Sequence, residues 1–382
     1  MDHLTKTASR ALATGKKILL VSPYWLEDHR WMISSVKLSE LWQRMGYSVT
    51  VVCMGSKNHS EMMSETLTVH YRKDFFFPDP LNYGIAFGFS KYVEKVAREL
   101  QPDHVIINKV LFWSSLAIFR LKKMGYSVLL VTDALVGITW KPRHWYSKVI
   151  MSLGAWTVGK RVLRAASRIV FFHPQPLDVL QKLMIDQKSI VIPTGIDPSL
   201  FSTGDRSSIL RITYVGRLES VKGVDDFLAA AKNVKEKHPE IVIQVVGWYK
   251  DRHDLVEKYQ SLVTFTGLSR DIPTVLRDTD IFVLPSYSEG LSNALMEAMA
   301  SNCACIATEV GGNTFLIENN VSGLLFKPGD RTTLQSHLET LINDVSLRTT
   351  LGAAARTRIE TIFSWEHVMK HYAQMFETMK RE

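Results

Sequence analysis

Pro285–Ala300 reads PSYSEGLSNALMEAMA and directly follows the apolar run IFVL at Ile281–Leu284. A short apolar run closed by proline reads as a buried strand, and the serine- and glycine-rich residues behind it read as a loop. Ser292 then stands where a helix N-cap belongs, its hydroxyl able to satisfy an orphan amide. Strand, loop and helix in this order form the repeating unit of parallel α/β sheets. Glu289 therefore sits above the carboxyl end of the strand, and Glu297 one turn into the helix. The helix start, entered through Gly290, Leu291 and Ser292, offers free amides and a positive dipole to a phosphate group. Glu297 suits the paired hydroxyls of a ribose. An amphipathic helix with two solvated glutamates fits the same letters, so this segment needs a second one beside it.

That second segment is VGRLESVKG, Val215–Gly223, behind the run Arg211–Val215. Gly216 and Gly223 let backbone approach a ligand closely, while Arg217 and Lys222 can hold a diphosphate as a fork and a point charge. An ordinary basic turn is the alternative, weakened by the two segments sharing one half of the chain.

Outward from these motifs, short apolar runs alternate with segments of helical period through 382 residues. The first half shows runs at Lys17–Val21, Val49–Cys53, Val105–Ile107, Val128–Val131, Ile169–Phe172 and Ile190–Ile192, with a helix expected over Trp31–Met45. After Pro193–Asp197 (PTGID) and a polar stretch, the alternation restarts at Arg211–Val215 and continues through Ile241–Val246, Val263–Phe265, Ile281–Leu284, Cys305–Ala307 and Leu324–Phe326. Length and restart predict two α/β domains, residues 1–195 and 196–364, as Rossmann-like sheets facing across an interdomain cleft.

Composition narrows the function. Hydrophobic residues make up 46% and charged residues 22%, the usage of a globular protein. Cys53, Cys303 and Cys305 have neither disulfide nor zinc spacing and are read as buried thiols. The N-terminus carries no apolar run of signal length, and the longest span candidate, Val149–Gly159, falls short of the ~20 residues a bilayer requires. A cytoplasmic protein, peripheral on the membrane at most, is expected. The net charge of +8 is concentrated in the acid-free stretch Ala134–Leu177, which holds Lys141, Arg143, Lys148, Lys160, Arg161, Arg164 and Arg168. No groove-reading motif or aromatic platform accompanies it, which argues against nucleic acid.

Together the motifs resemble the retaining nucleotide-sugar glycosyltransferases of family 4, of GT-B architecture, over nearly the whole chain. IPTGID (Ile192–Asp197) resembles the hinge motif, VGRLESVKG the phosphate loop, SEGLSNALMEAMA the E-x7-E signature, and VGG (Val310–Gly312) with SGLLFKPGD (Ser322–Asp330) the closing segment. The resemblance implies that Arg217 and Lys222 bind the donor diphosphate, Glu289 lies beside the donor sugar, and Glu297 holds the ribose. It also implies a final helix, about 365–382, packing back on the first domain. The chain departs from the family at three places. Ser22, Pro23, Tyr24 and Trp25 replace a glycine pair, Asp133 stands where many members carry histidine, and Phe315 occupies a common glutamate position. Asp133 is carried over as a cleft or acceptor residue.

The implied reaction displaces a nucleoside diphosphate from the anomeric carbon by an acceptor hydroxyl, with retention. Positive charge from Arg217, Lys222 and helix amides meets the charge developing on the leaving group. No cofactor or metal is expected: the Asp278–Asp280 pair (DTD) precedes a strand and reads as a turn, and His173 is given no catalytic role. A sugar-nucleotide epimerase on the same fold, or a non-catalytic sugar-nucleotide-binding subunit, remains open beside this reading. The expected partners are a nucleotide-sugar donor and a carbohydrate or lipid-linked acceptor. Trp145, Val149, Leu153 and Trp156 recur at helical spacing within the basic stretch, and Phe75–Phe77, Leu81, Ile85, Phe87 and Phe89 make a second apolar group. Either these rest on an anionic membrane surface or they belong to the domain core.

Overall fold

The computed structural model describes residues 15–27, 30–77, 83–140, 145–204, 209–248 and 252–379. Lys141, Arg143 and Leu81 of the basic and apolar groups lie outside the described residues. The chain separates into two compact units, the first running to Thr194 and resuming at Met369, the second spanning Gly195–Val368.

The first unit is built on an eight-stranded sheet. Its order is Ser189–Val191, Arg168–Phe171, Val128–Thr132, His104–Asn108, Lys17–Ser22, Ser48–Gly55, Leu67–Lys73 and His59–Ser64. Every pairing is parallel except the last, which is antiparallel. The central strands are buried along nearly their whole length, as helices on both faces require, and read as continuous apolar runs. Each fully buried Val, Leu or Ile contributes roughly 1.5–3 kcal/mol. The edge hairpin was not anticipated: His59–Ser64 (HSEMMS) is almost wholly exposed and lacks the apolar alternation that marks a strand. A second hairpin pairs Phe75–Phe77 with Tyr83–Ile85. The helix expected over Trp31–Met45 begins at Ile33, because Trp31 instead pairs with Leu26 in a short antiparallel bridge. The final helix, Trp365–Thr378, sets Tyr372 edge-on against Trp42 at 5.9 Å and stacks Phe376 on His104 at 4.2 Å.

The second unit has a six-stranded, wholly parallel sheet in the order Thr264–Gly267, Val242–Val246, Arg211–Val215, Ile281–Leu284, Ala304–Thr308 and Leu324–Phe326. The two strands that precede the motif loops are therefore neighbours at its centre. Within this unit the PTGID segment is bonded to Phe363–Trp365: Ile196 N donates to Phe363 O at 2.8 Å, and Trp365 N to Ile196 O at 2.9 Å. Gly195, at φ 69°, leaves no room there for a Cβ, which would lie 2.8 Å from Val368. Among the described residues no helix is long and apolar enough to cross a membrane.

Candidate functional site

Strand Arg211–Val215 delivers the chain to Gly216, whose successor is pinned from below: the buried Tyr214 hydroxyl donates to Arg217 O at 2.8 Å. Burial, then the charge of Glu289, push the Tyr214 hydroxyl far above its ordinary pKa, so it stays a donor. A Cβ on Gly247 would lie 1.8 Å from Gly216 O, so the next strand's end must also be glycine. Sequence reasoning passed over Gly247; the signal was a glycine closing the apolar run Ile241–Val246. The loop ends in a short turn, Ser220–Lys222, and Gly223 at φ 67° lies so close to Pro285 O that a Cβ would stand 1.9 Å from it. That approach brings two loops together. Lys222 Nζ bonds Glu289 Oε1 at 2.8 Å, with the Glu289 side chain only 8% exposed and that of Lys222 23%.

Glu289 Oε1 accepts a second bond from Ser286 Oγ at 2.7 Å, while Oε2 takes no part in either. The loop's far side rests on backbone. Gly312 N donates to Gly290 O at 2.9 Å, and a Cβ on Gly311 would lie 1.9 Å from Glu289 O. Leu291 then leads into the helix Asn293–Ala300, capped by Ser292 Oγ, which accepts from Leu295 N at 3.3 Å. Leu295, Met296, Ala298 and Met299 face the core, leaving Glu297 half-buried beside Asn293, one turn earlier. Arg217 takes another direction: it is exposed, and its Nη1 pairs with Glu219 Oε1 at 2.6 Å. The structure thus joins Lys222 to Glu289 and leaves Arg217 on a neighbouring carboxylate.

Asp280 Oδ2 accepts from Arg211 N at 2.8 Å and Asp278 pairs with Arg277 at 3.1 Å, both ahead of strand Ile281–Leu284 and so at its opposite end from Glu289. Phe315 packs edge-on against Phe363 at 5.1 Å and makes no polar side-chain contact. Among the described residues no His, Cys, Asp or Glu group could hold a metal ion.

In the first unit, strands Lys17–Ser22, His104–Asn108 and Val128–Thr132 end side by side. Ser22 Oγ meets Ser35 Oγ at 2.5 Å, and Asn108 Nδ2 donates to Ser35 Oγ at 2.7 Å, while the buried Asn108 Oδ1 has no partner among the described residues. Asp133 follows the third strand, and Lys109 Nζ reaches its Oδ1 at 2.7 Å. Burial opposes the Asp133 charge, but the Lys109 ammonium and its hydrogen bond hold the carboxyl below its usual range. Burial pushes the pKa of His173, in the same cluster, down despite nearby Asp133 and so favours the neutral ring. Lys109 was missed by sequence reasoning. It holds a left-handed φ of 72°, followed by Leu111 at 65°, backbone positions that concentrate at functional sites.

The apolar helix of this unit is turned outward. Ser147, Ala155 and Gly159 face the domain, with Gly154 and Gly159 against Leu111, whereas Trp145 is 76% and Leu153 67% exposed, and Val149, Ile150 and Trp156 are exposed with them. Of the two open readings, core membership is therefore wrong for Trp145, Val149, Leu153 and Trp156. Phe75, Phe77 and Phe87 are exposed too, while Phe89 is core. Consecutive residues link the two groups: Leu111 touches the helix, Phe112 stacks on Tyr83 at 6.2 Å, and Trp113 packs against Phe87 at 6.0 Å. Lys148, Arg161 and Arg164 are exposed on the same helical segment.

Comparison with known proteins gives a consistent family picture. Residues 34–200 match Glycosyltransferase Family 4, and residues 210–344 match Glycosyl transferases group 1. The chain is 31% identical over 189 residues to UDP-Gal:alpha-D-GlcNAc-diphosphoundecaprenol alpha-1,3-galactosyltransferase of Escherichia coli, covering 44% of this chain and 49% of that protein. It is 28% identical over 178 residues to the capsular polysaccharide biosynthesis glycosyltransferase CapM of Staphylococcus aureus, covering 45% and 47%. The aligned part spans about half the length of these curated relatives. Among solved structures, sucrose-phosphate synthase from Thermosynechococcus elongatus superposes with a TM-score of 0.76 at 20% identity, over 95% of this chain and 98% of that one. Anabaena HepE in complex with UDP and glucose gives 0.73 at 16%, over 95% and 100%. At such identities these structures establish the fold, which is GT-B.

Proposed function

For a chain that matches Glycosyltransferase Family 4 in its first part and Glycosyl transferases group 1 in its second, we propose the transfer of a sugar from a nucleoside-diphosphate sugar to an acceptor hydroxyl, with retention and without a bound metal. The observation that carries this reading is the Lys222–Glu289 contact, a cation and a carboxylate from adjacent strand-end loops beside a capped helix N-terminus. In this reading Lys222 and the helix amides meet the departing diphosphate, Arg217 stands by on the same loop, paired with Glu219, Glu289 orients the sugar or supports positive character at its ring, and Glu297 holds the ribose. Gly216, Gly290, Leu291 and Ser292 supply close backbone. A preorganised donor aimed at developing charge contributes roughly 2.7–4 kcal/mol in comparable sites.

The acceptor is a carbohydrate or a lipid-linked glycan, met at Asp133 and presented at a cytoplasmic membrane face. The outward Trp145–Trp156 surface with its lysines and arginines supports this, as does the diphosphoundecaprenol in the name of the E. coli relative. Each basic side chain near anionic lipid adds about 1 kcal/mol.

The test is product analysis after incubation with a panel of nucleotide sugars, with lipid-linked and soluble acceptors, with and without chelator. Acceptor-dependent release of nucleoside diphosphate with an α-linked product from an α-linked donor supports the reading. Conversion of the donor alone to an epimer, or donor binding without turnover, overturns it in favour of an epimerase or a binding subunit.

A further inference from the structure

Asp226 lies in the first turn of helix Val224–Lys237, one turn beyond Lys222. Its side chain is 5% exposed, a depth at which a carboxylate needs its lone pairs occupied. They are: Oδ1 accepts from Arg331 Nε at 2.6 Å and Oδ2 from Tyr287 OH at 2.7 Å. These partners come from separate segments. Tyr287 stands two residues before Glu289, and Arg331 opens the helix Arg331–Asn343. A backbone bond runs parallel to the side-chain ones, from Tyr287 N to Val221 O at 2.8 Å, next to Lys222. A Cβ on Gly329 would lie 3.2 Å from the Tyr287 hydroxyl, so the KPGD turn closes over it. On the loop's other side Thr308 Oγ1 donates to Ser286 O at 2.6 Å.

We propose that Tyr287, Asp226 and Arg331 are positioning residues that set the Lys222 ammonium against Glu289 and thereby determine affinity for the donor diphosphate. The proposal rests on the donor-site reading above. The network ties the loop bearing Glu289 to the helix that follows Lys222, so its loss lets the cation and carboxylate shift relative to each other. Such displacements matter because diphosphate recognition depends on charges held in place before the ligand arrives. The hydrogen bond to Asp226 raises the Tyr287 hydroxyl's pKa, keeping it a donor through the neutral range.

The experiment measures binding of UDP, GDP and ADP by calorimetry to the full chain, to Tyr287→Phe, Asp226→Asn and Lys222→Met, and to the Tyr287→Phe/Lys222→Met double variant. Tyr287→Phe is expected to weaken the diphosphate preferred by wild type about fivefold to tenfold, with a modestly lowered melting temperature, because it leaves one oxygen of the buried Asp226 carboxylate without its hydroxyl partner. With Lys222 already absent, Tyr287→Phe is expected to add nothing, the signature of residues acting through one group. Wild-type affinity in Tyr287→Phe, or an equal loss with and without Lys222, overturns the proposal. Should Asp226→Asn fail to fold, the Tyr287→Phe pair of measurements decides alone. Absence of any nucleoside-diphosphate binding by wild type overturns the donor-site reading itself, a result distinct from intact binding that ignores Tyr287.

Discussion

Arg217 and Lys222 leave the same loop in different company, and their substitutions should differ accordingly. Lys222→Ala removes the cation touching Glu289 and is expected to lower kcat/KM by about 10²–10³, the usual loss for one preorganised donor. Arg217→Ala breaks an exposed pair with Glu219 and is expected to cost less; equal losses would show that Arg217 swings onto the donor during turnover. Glu289→Gln keeps the shape of the side chain, so steady-state kinetics should show kcat falling while the melting temperature holds. At Asp133 the sign follows from its folded-state pKa: burial opposes the charge, but the Lys109 ammonium holds the group below an ordinary carboxylate. Such a group stabilises the fold above its unfolded pKa and loses that contribution as pH falls through the folded value. The gap in melting temperature between wild type and Asp133→Asn should therefore be widest near neutrality and shrink below about pH 4. A gap independent of pH would place the effect in packing rather than charge.

Elements show why the helical segment Trp145–Ala165 misleads a periodicity argument. As far as Gly159 its small residues face the domain and its large apolar ones face outward, the reverse of an ordinary amphipathic helix, while Val162 and Leu163 beyond them are buried. Replacing Trp145 and Leu153 together with serine should leave thermal stability within about 0.5 kcal/mol, as exposed positions do, instead of the 2–5 kcal/mol that emptying a core costs. The same variant should lose co-sedimentation with anionic vesicles at low salt. Retained binding, or a sharp loss of stability, would return these residues to a packing role. The edge strand His59–Ser64 carries a related lesson: a strand paired on one side only needs backbone bonds more than apolar side chains, so its letters say little.

For the molecule as a whole, the expectation is turnover in the presence of EDTA, measured as acceptor-dependent release of nucleoside diphosphate. Loss of activity on chelation, restored by magnesium or manganese, would assign the leaving-group charge to a metal. The alternation of apolar runs and helical periods by itself determined two parallel α/β sheets, because a strand buried on both faces must be apolar throughout. The restart after PTGID, the Ser292 cap and the loop positions of Lys222 and Glu289 were equally local and equally legible. What only the tertiary structure decided are relations between residues distant in sequence. Gly223 has no room for a Cβ because Pro285 lies against it, and Lys109 finds Asp133 because their strands are neighbours. Arg217 turns to Glu219, the Trp145 helix faces outward, and Asp226 gathers Tyr287 and Arg331. The physical reason is range: periodicity and capping are set within a few residues, whereas the partner of a buried charge is set by which strand ends the sheet order places side by side.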